Sequence, residues 1–114
     1  MTNGMAGTMS DSTKRLLLAF EQQLREINRE TLNPMVEELT TEQLAPVIHM
    51  VAVARGNYLK TLIDTAKQNS GEMPSDSQIK ELQKYRVRYD ELVSAVKALE
   101  TAIQRGYLDV DFSR

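Results

Sequence analysis

The feature that most constrains this chain is a row of apolar residues that repeats through residues 76–105. The row consists of Leu82, Tyr85, Tyr89, Leu92, Val96, Leu99 and Ile103. Alternate gaps of three and four positions place all seven on one side of an α-helix. Because neither Pro nor Gly interrupts the segment, we expect a single helix of roughly 45 Å. Other parts of the protein must cover its apolar side.

A second amphipathic pattern lies in the first third of the chain. Its apolar side has the same spacing and consists of Leu17, Phe20, Leu24, Ile27 and Thr31. Charged and amide side chains occupy the remaining surface, as is typical of a helix with one packed side. We expect a residue within 10–12 to cap its start. The Asn33-Pro34 pair should break it, since Pro disfavours helical geometry in the preceding residue; a short helical turn is expected to resume as far as Leu39.

The middle of the chain is apolar in almost every direction. Residues 47–54 read Val-Ile-His-Met-Val-Ala-Val-Ala, with His49 as the polar exception. A helix covered on one side would show a polar stripe through these turns, so we expect this helix to be covered from most sides. Thr40 and Gln43 match a capping box at its start.

These patterns divide the chain into three helical blocks joined by short connections. The blocks are 12–39, 42–69 and 76–105. The plainest loop signal, NSGEMP at 69–74, separates the last two, and Ser75 with Gln78 matches a second capping box. We therefore predict an all-α protein, an antiparallel three-helix bundle over residues 12–106 with its first helix broken near Asn33-Pro34.

The two ends of the chain lack these helical patterns. Residues 1–11 are mostly small, and we predict a flexible N-terminal arm. Residues 107–114 form a C-terminal tail in which apolar and acidic residues alternate. The tail is either a loose end or a short extended segment that pairs with a partner.

Composition excludes several classes of protein. Fourteen Lys and Arg nearly balance sixteen Asp and Glu, for a net charge of -2, which argues against a dedicated nucleic-acid binder. No Cys is present, so disulfides, thiolate metal sites and cysteine nucleophiles are excluded, and we expect a cytoplasmic protein. The longest apolar runs are too short to span a membrane.

The sequence contains no recognisable catalytic pattern. His49 is the single histidine, and the residues three positions away, Pro46 and Ala52, are not carboxylates, so the Glu-x-x-His motif of di-iron bundles is missing. We expect His49 to be a partly buried, hydrogen-bonded residue. No G-x-S-x-G or glycine-rich phosphate loop occurs. We predict a non-enzymatic protein without a cofactor or metal.

The apolar circumference of the middle helix predicts a homodimer. Small residues of the last helix add a surface that another helix could approach closely. The predicted interface consists of Val47, Met50, Val53, Ala54, Gly56, Ala95, Ala98 and Ala102. Two-fold dimers are the commonest oligomers. Alternatively, these small residues let the second and third helices cross closely within one chain.

The sequence leads to two functional hypotheses. The first is an interaction or assembly module, comparable in architecture to adaptors and secretion chaperones, that self-associates and binds an unidentified protein partner. The second is a nucleic-acid-associated protein that uses Lys80, Lys84 and Arg88, which share one helix side. The acidic residues Glu37, Glu38 and Glu42 are an alternative partner for this basic stripe within a dimer.

Overall fold

The computed structural model describes residues 10–111, and within them the protein is mostly helical. Its elements are α1 (Asp11–Leu32), β1 (Leu39–Thr40), α2 (Thr41–Gln68), α3 (Asp76–Gln104) and β2 (Val110–Asp111). Of the predicted N-terminal arm, residues 1–9 lie outside the described part of the chain, as do residues 112–114 of the tail.

Each helix begins at a polar side chain that accepts a free backbone N–H. The Ser10 hydroxyl accepts from Thr13 N–H at 3.1 Å and starts α1. The two predicted capping boxes are confirmed: Thr40 and Gln43 exchange hydrogen bonds at the start of α2, and Ser75 and Gln78 do so at the start of α3. Such caps satisfy donors that have no partner inside the helix.

The connection between α1 and α2 differs from the sequence expectation. α1 ends at Leu32, with Asn33 as its C-cap, so the helix is interrupted at the Asn33-Pro34 pair, as predicted. A hydrogen-bonded turn follows, in which Val36 N–H donates to the Leu32 carbonyl at 2.8 Å, but it does not continue as a helix to Leu39. Instead, Leu39 is extended, because its N–H donates to the Asp109 carbonyl at 3.0 Å and its strand pairs in parallel with β2. The turn therefore ends at Val36, and its predicted continuation as far as Leu39 was wrong.

The chain after α3 also takes part in this pairing. Gly106 has a φ of +73° and ends the helix, and Tyr107 N–H donates to the Ala102 carbonyl at 2.8 Å. This left-handed turn suits glycine, which has no Cβ to clash. The chain then continues into β2, so residues 110–111 of the predicted tail pair with the protein's own β1.

A small core lies beneath the two strands, at the end of the α2–α3 pair. Its buried residues are Leu39, Ala102 and Leu108. Leu32 and Tyr107 are among the half-buried residues packed around them. We call this assembly of β1, β2 and their core the corner. It joins the end of α1 to the end of α3.

α2 and α3 pack together, whereas α1 extends away from them. Gln78 donates to Gln68 beside the turn at 3.1 Å, and Arg55 donates to Tyr89 farther along at 3.3 Å, so the two helices run antiparallel. The radius of gyration is 22.1 Å, compared with about 13 Å for a compact domain of 100 residues. The predicted bundle of three helices within one chain is not confirmed.

Candidate functional site

The contact between α2 and α3 is built from one apolar row on each helix. All seven residues of the row predicted on α3 are half-buried. The facing row of α2 consists of Leu44, Val47, Val51, Ala54 and Tyr58. The Tyr58 and Tyr89 rings lie 6.2 Å apart across this contact, within the range at which aromatic pairs attract. One side of each helix is thereby covered.

An open groove runs along one flank of this helix pair. Its larger part has a volume of about 620 Å³ and lies between His49–Asn57 and Tyr85–Leu92. A second part of about 240 Å³ shares Met50 and Leu92 with the first and continues to Leu99. We call the two parts together the α2–α3 groove. Its lining is predominantly apolar, with charged residues at the rim.

Large apolar side chains remain exposed in and beside this groove. Met50 is 51 % exposed and Val53 is 48 % exposed. On the opposite flank of α2, Ile48 and Leu59 are exposed as well. α2 is therefore covered by α3 along one row only. Contiguous exposed apolar surface of this kind is typical of an interaction site.

The structure separates the predicted interface residues into three groups. Val47, Met50, Val53, Ala54 and Ala95 line the α2–α3 groove. Val47 and Ala54 are half-buried against α3, whereas Ala95 is exposed.

The remaining predicted residues lie elsewhere. Gly56 is exposed and has no neighbour within 4 Å of an added Cβ, so close packing within the chain does not explain this glycine. Ala98 is exposed on α3. Ala102 is buried in the corner by the chain itself.

The basic stripe on α3 lies around the Tyr85 ring. Lys84 Nζ is 5.0 Å and the Arg88 guanidinium carbon 5.6 Å from the ring centroid. Lys84 also forms an ion pair with Glu81 at 3.3 Å. Lys80 is exposed. Two of the three predicted phosphate contacts therefore interact with neighbouring side chains of the same helix.

The corner contains long-range contacts that the sequence patterns did not identify. Arg29 of α1 donates through Nη1 to the Gly106 carbonyl at 2.7 Å and through Nη2 to Asp109 Oδ1 at 2.8 Å. Leu32 packs on the core beside them. These contacts fix the direction in which α1 leaves the corner. The alternation of apolar and acidic residues from Leu108 to Asp111 was the sequence signal that indicated an extended segment here.

Among residues 10–111, no three His, Asp or Glu side chains are grouped so as to hold a metal ion. His49 is exposed at the groove, not partly buried as expected from the sequence. No helix in the described part of the chain is long and apolar enough to cross a membrane.

Comparison with known proteins gives no further assignment. No protein-family model matches this chain, and no curated protein or solved structure matches it.

Proposed function

We propose that this protein is a non-enzymatic helical interaction module that self-associates through α2 and α3. The observation that supports this proposal is the exposed apolar surface of α2, in which Met50 and Val53 are each about half accessible. Monomeric soluble proteins rarely leave large contiguous surfaces of this kind uncovered. Association would remove them from water at roughly 25 cal/mol per Å² of apolar area.

The shape of the α2–α3 groove suits a helical ligand. Two antiparallel helices with an apolar trough between them form the receiving half of a helix-in-groove contact, in which the apolar side of a third helix is buried. Arg88 and Glu91 at the rim carry opposite charges, and rim charges of this kind influence orientation more than affinity. A protein helix is therefore the occupant that the groove favours.

Size-exclusion chromatography with light scattering tests self-association directly. We expect the full chain to have twice its monomer mass at high micromolar concentration, and Met50→Glu to shift it to the monomer mass while circular dichroism retains the helical signal. Gln83→Glu adds the same charge at an exposed position of α3 outside the groove and should leave the mass unchanged. A strict monomer for the unmodified chain would contradict the proposal.

The nucleic-acid hypothesis has less structural support. Lys84 and Arg88 flank the Tyr85 ring, and Lys84 pairs with Glu81. A mobility-shift experiment with a salt titration separates the hypotheses, because phosphate contacts weaken steeply as salt rises. We expect no shift at low salt. A salt-sensitive shift that is lost when Lys80, Lys84 and Arg88 are changed together to Gln would establish the alternative.

A further inference from the structure

Helix α1 presents an apolar side that the described part of the chain leaves uncovered. Phe20 is 58 % and Ile27 60 % exposed, and within the described residues α1 contains no buried side chain. The row from Leu17 to Ile27 spans ten positions, or roughly 15 Å of helix. Most of the stability of an amphipathic helix in a protein comes from packing of its apolar side, so packing of this side would stabilise α1.

Within residues 10–111, no segment of the chain fills the position that a third helix would occupy on α2 and α3. The part of the groove between Tyr85 and Leu99 follows fourteen positions of α3, roughly 21 Å. This length accommodates the apolar row of α1. The two uncovered surfaces therefore match in length and in chemistry.

The corner keeps these two surfaces of one chain apart. Arg29 is tied to Gly106 and Asp109, and Leu24 lies beside Tyr107 near the end of α3. All residues from Asp11 to Phe20 are exposed. The first half of α1 therefore leaves the helix pair instead of folding back along it.

We infer that α1 of one copy packs in the α2–α3 groove of a second copy, and that the exchange is reciprocal. This inference rests on the proposed self-association and names the segment that carries it. A two-fold dimer covers both surfaces in both chains with one type of contact. Each copy then has three helices packed together, two of its own and one from its partner.

The apolar area available is sufficient for a specific dimer. Burying a Leu, Ile or Phe side chain gains about 1.5–3 kcal/mol of transfer free energy. Divided by about 25 cal/mol per Å², this corresponds to roughly 60–120 Å² of apolar surface removed from water. Four such residues on each α1, with a similar area of the groove that receives them, would bury on the order of 1,500 Å² over the two contacts together. This is the size of a standard specific interface.

Two charge substitutions, one on each surface, test the inference. Phe20→Glu places a carboxylate on the apolar side of α1, and Val53→Glu places one in the groove. Each variant alone should elute as a monomer with its helicity retained. Gln22→Glu, on the opposite side of α1, is the matched control and should remain dimeric.

Mixing the two variants distinguishes helix exchange from other dimers. The intact α1 of the Val53→Glu chain can still enter the intact groove of the Phe20→Glu chain, so the mixture should form a heterodimer held by one contact, weaker than the original dimer. If Phe20→Glu stays dimeric while Val53→Glu dissociates, the grooves pair directly and the inference is wrong, although self-association stands. Failure of the mixture to associate would also overturn it. A monomeric unmodified chain would remove the proposed function as well.

Discussion

Replacing Arg29 with Ala should loosen the corner and leave the α2–α3 pair intact. The substitution removes the hydrogen bonds to the Gly106 carbonyl and to Asp109 Oδ1, at 2.7 and 2.8 Å. Arg29 connects α1 to the segment after α3 through these direct polar contacts. Leu39 and Leu108 lie in the same corner, so the hydrogen bonds between β1 and β2 should open more often in the variant.

The expected magnitude follows from the exposure of the two contacts. The ion pair with Asp109 is 39 % and 53 % exposed at its two side chains, so solvent screening limits it to at most about 1 kcal/mol. The hydrogen bond to the half-buried Gly106 carbonyl contributes about 1 kcal/mol. Together they stabilise the closed corner by about 1–2 kcal/mol, a factor of roughly 5–30 in its opening equilibrium.

Amide hydrogen exchange at Leu39 measures this opening. Its N–H donates to the Asp109 carbonyl across the strand pair, and exchange requires that bond to open. Arg29→Ala should accelerate amide exchange at Leu39 by a factor of roughly 5–30. The exchange rates of amides in the middle of α3 should not change. Arg15→Ala, at an exposed position of the same helix away from the corner, is the control. An unchanged Leu39 rate, or equal acceleration by the control, would refute the reasoning.

Three further predictions concern stability and charge. Leu108→Ala should destabilise the corner by about 2–5 kcal/mol in local exchange measurements, because Leu108 is 6 % exposed in its core. Gly106→Ala should lower the free energy of unfolding by about 1–2 kcal/mol because its φ is +73°, whereas Gly56→Ala, inside α2 with open space around it, should raise it by up to about 1 kcal/mol in denaturant titrations. The hydrogen bond from Lys60 lowers the pKa of the Asp64 carboxyl below its ordinary value. The Lys60–Asp64 pair therefore contributes its full stability above the pKa that Asp64 has in the unfolded chain. This contribution is lost as pH falls through the lower pKa that Asp64 has in the folded protein. In an NMR titration, Lys60→Gln should move the Asp64 midpoint upward; an unmoved midpoint would contradict this.

Local signals in the sequence predicted the helices well. Caps at Thr40 and Ser75 and the break at Asn33 depend on neighbouring residues, and the apolar row of α3 depends on spacing alone. Because its residues share one side of the helix, the whole row of α3 packs against α2. These features are determined within a few positions of the chain, so periodicity and capping chemistry were sufficient.

The corner could not be predicted in the same way. Pairing of Leu39 with Val110 joins residues 71 positions apart, and each strand has only two residues, too few to show an alternating pattern. The contact between Arg29 and Asp109 joins residues 80 positions apart. The spacing of apolar residues indicated that the apolar sides of three amphipathic helices must be covered by other helices. It contained no information on whether α1 folds back along its own chain or leaves it.

The three-helix bundle expected from the sequence and the exchanged dimer inferred from the structure cover the same groove with the same helix. They differ in whether α1 belongs to the same chain, and the corner decides between them by fixing the direction of α1. Residues 33–38 connect α1 to β1 and can extend to roughly 20 Å, so an α1 released from Arg29 has the reach to turn back along its own α2. Arg29→Ala should therefore increase the monomer fraction at a given concentration in light scattering, with helicity preserved. The Arg15→Ala control should keep the original fraction. An Arg29→Ala chain that dimerises as strongly as the unmodified protein would show that the corner does not direct the exchange.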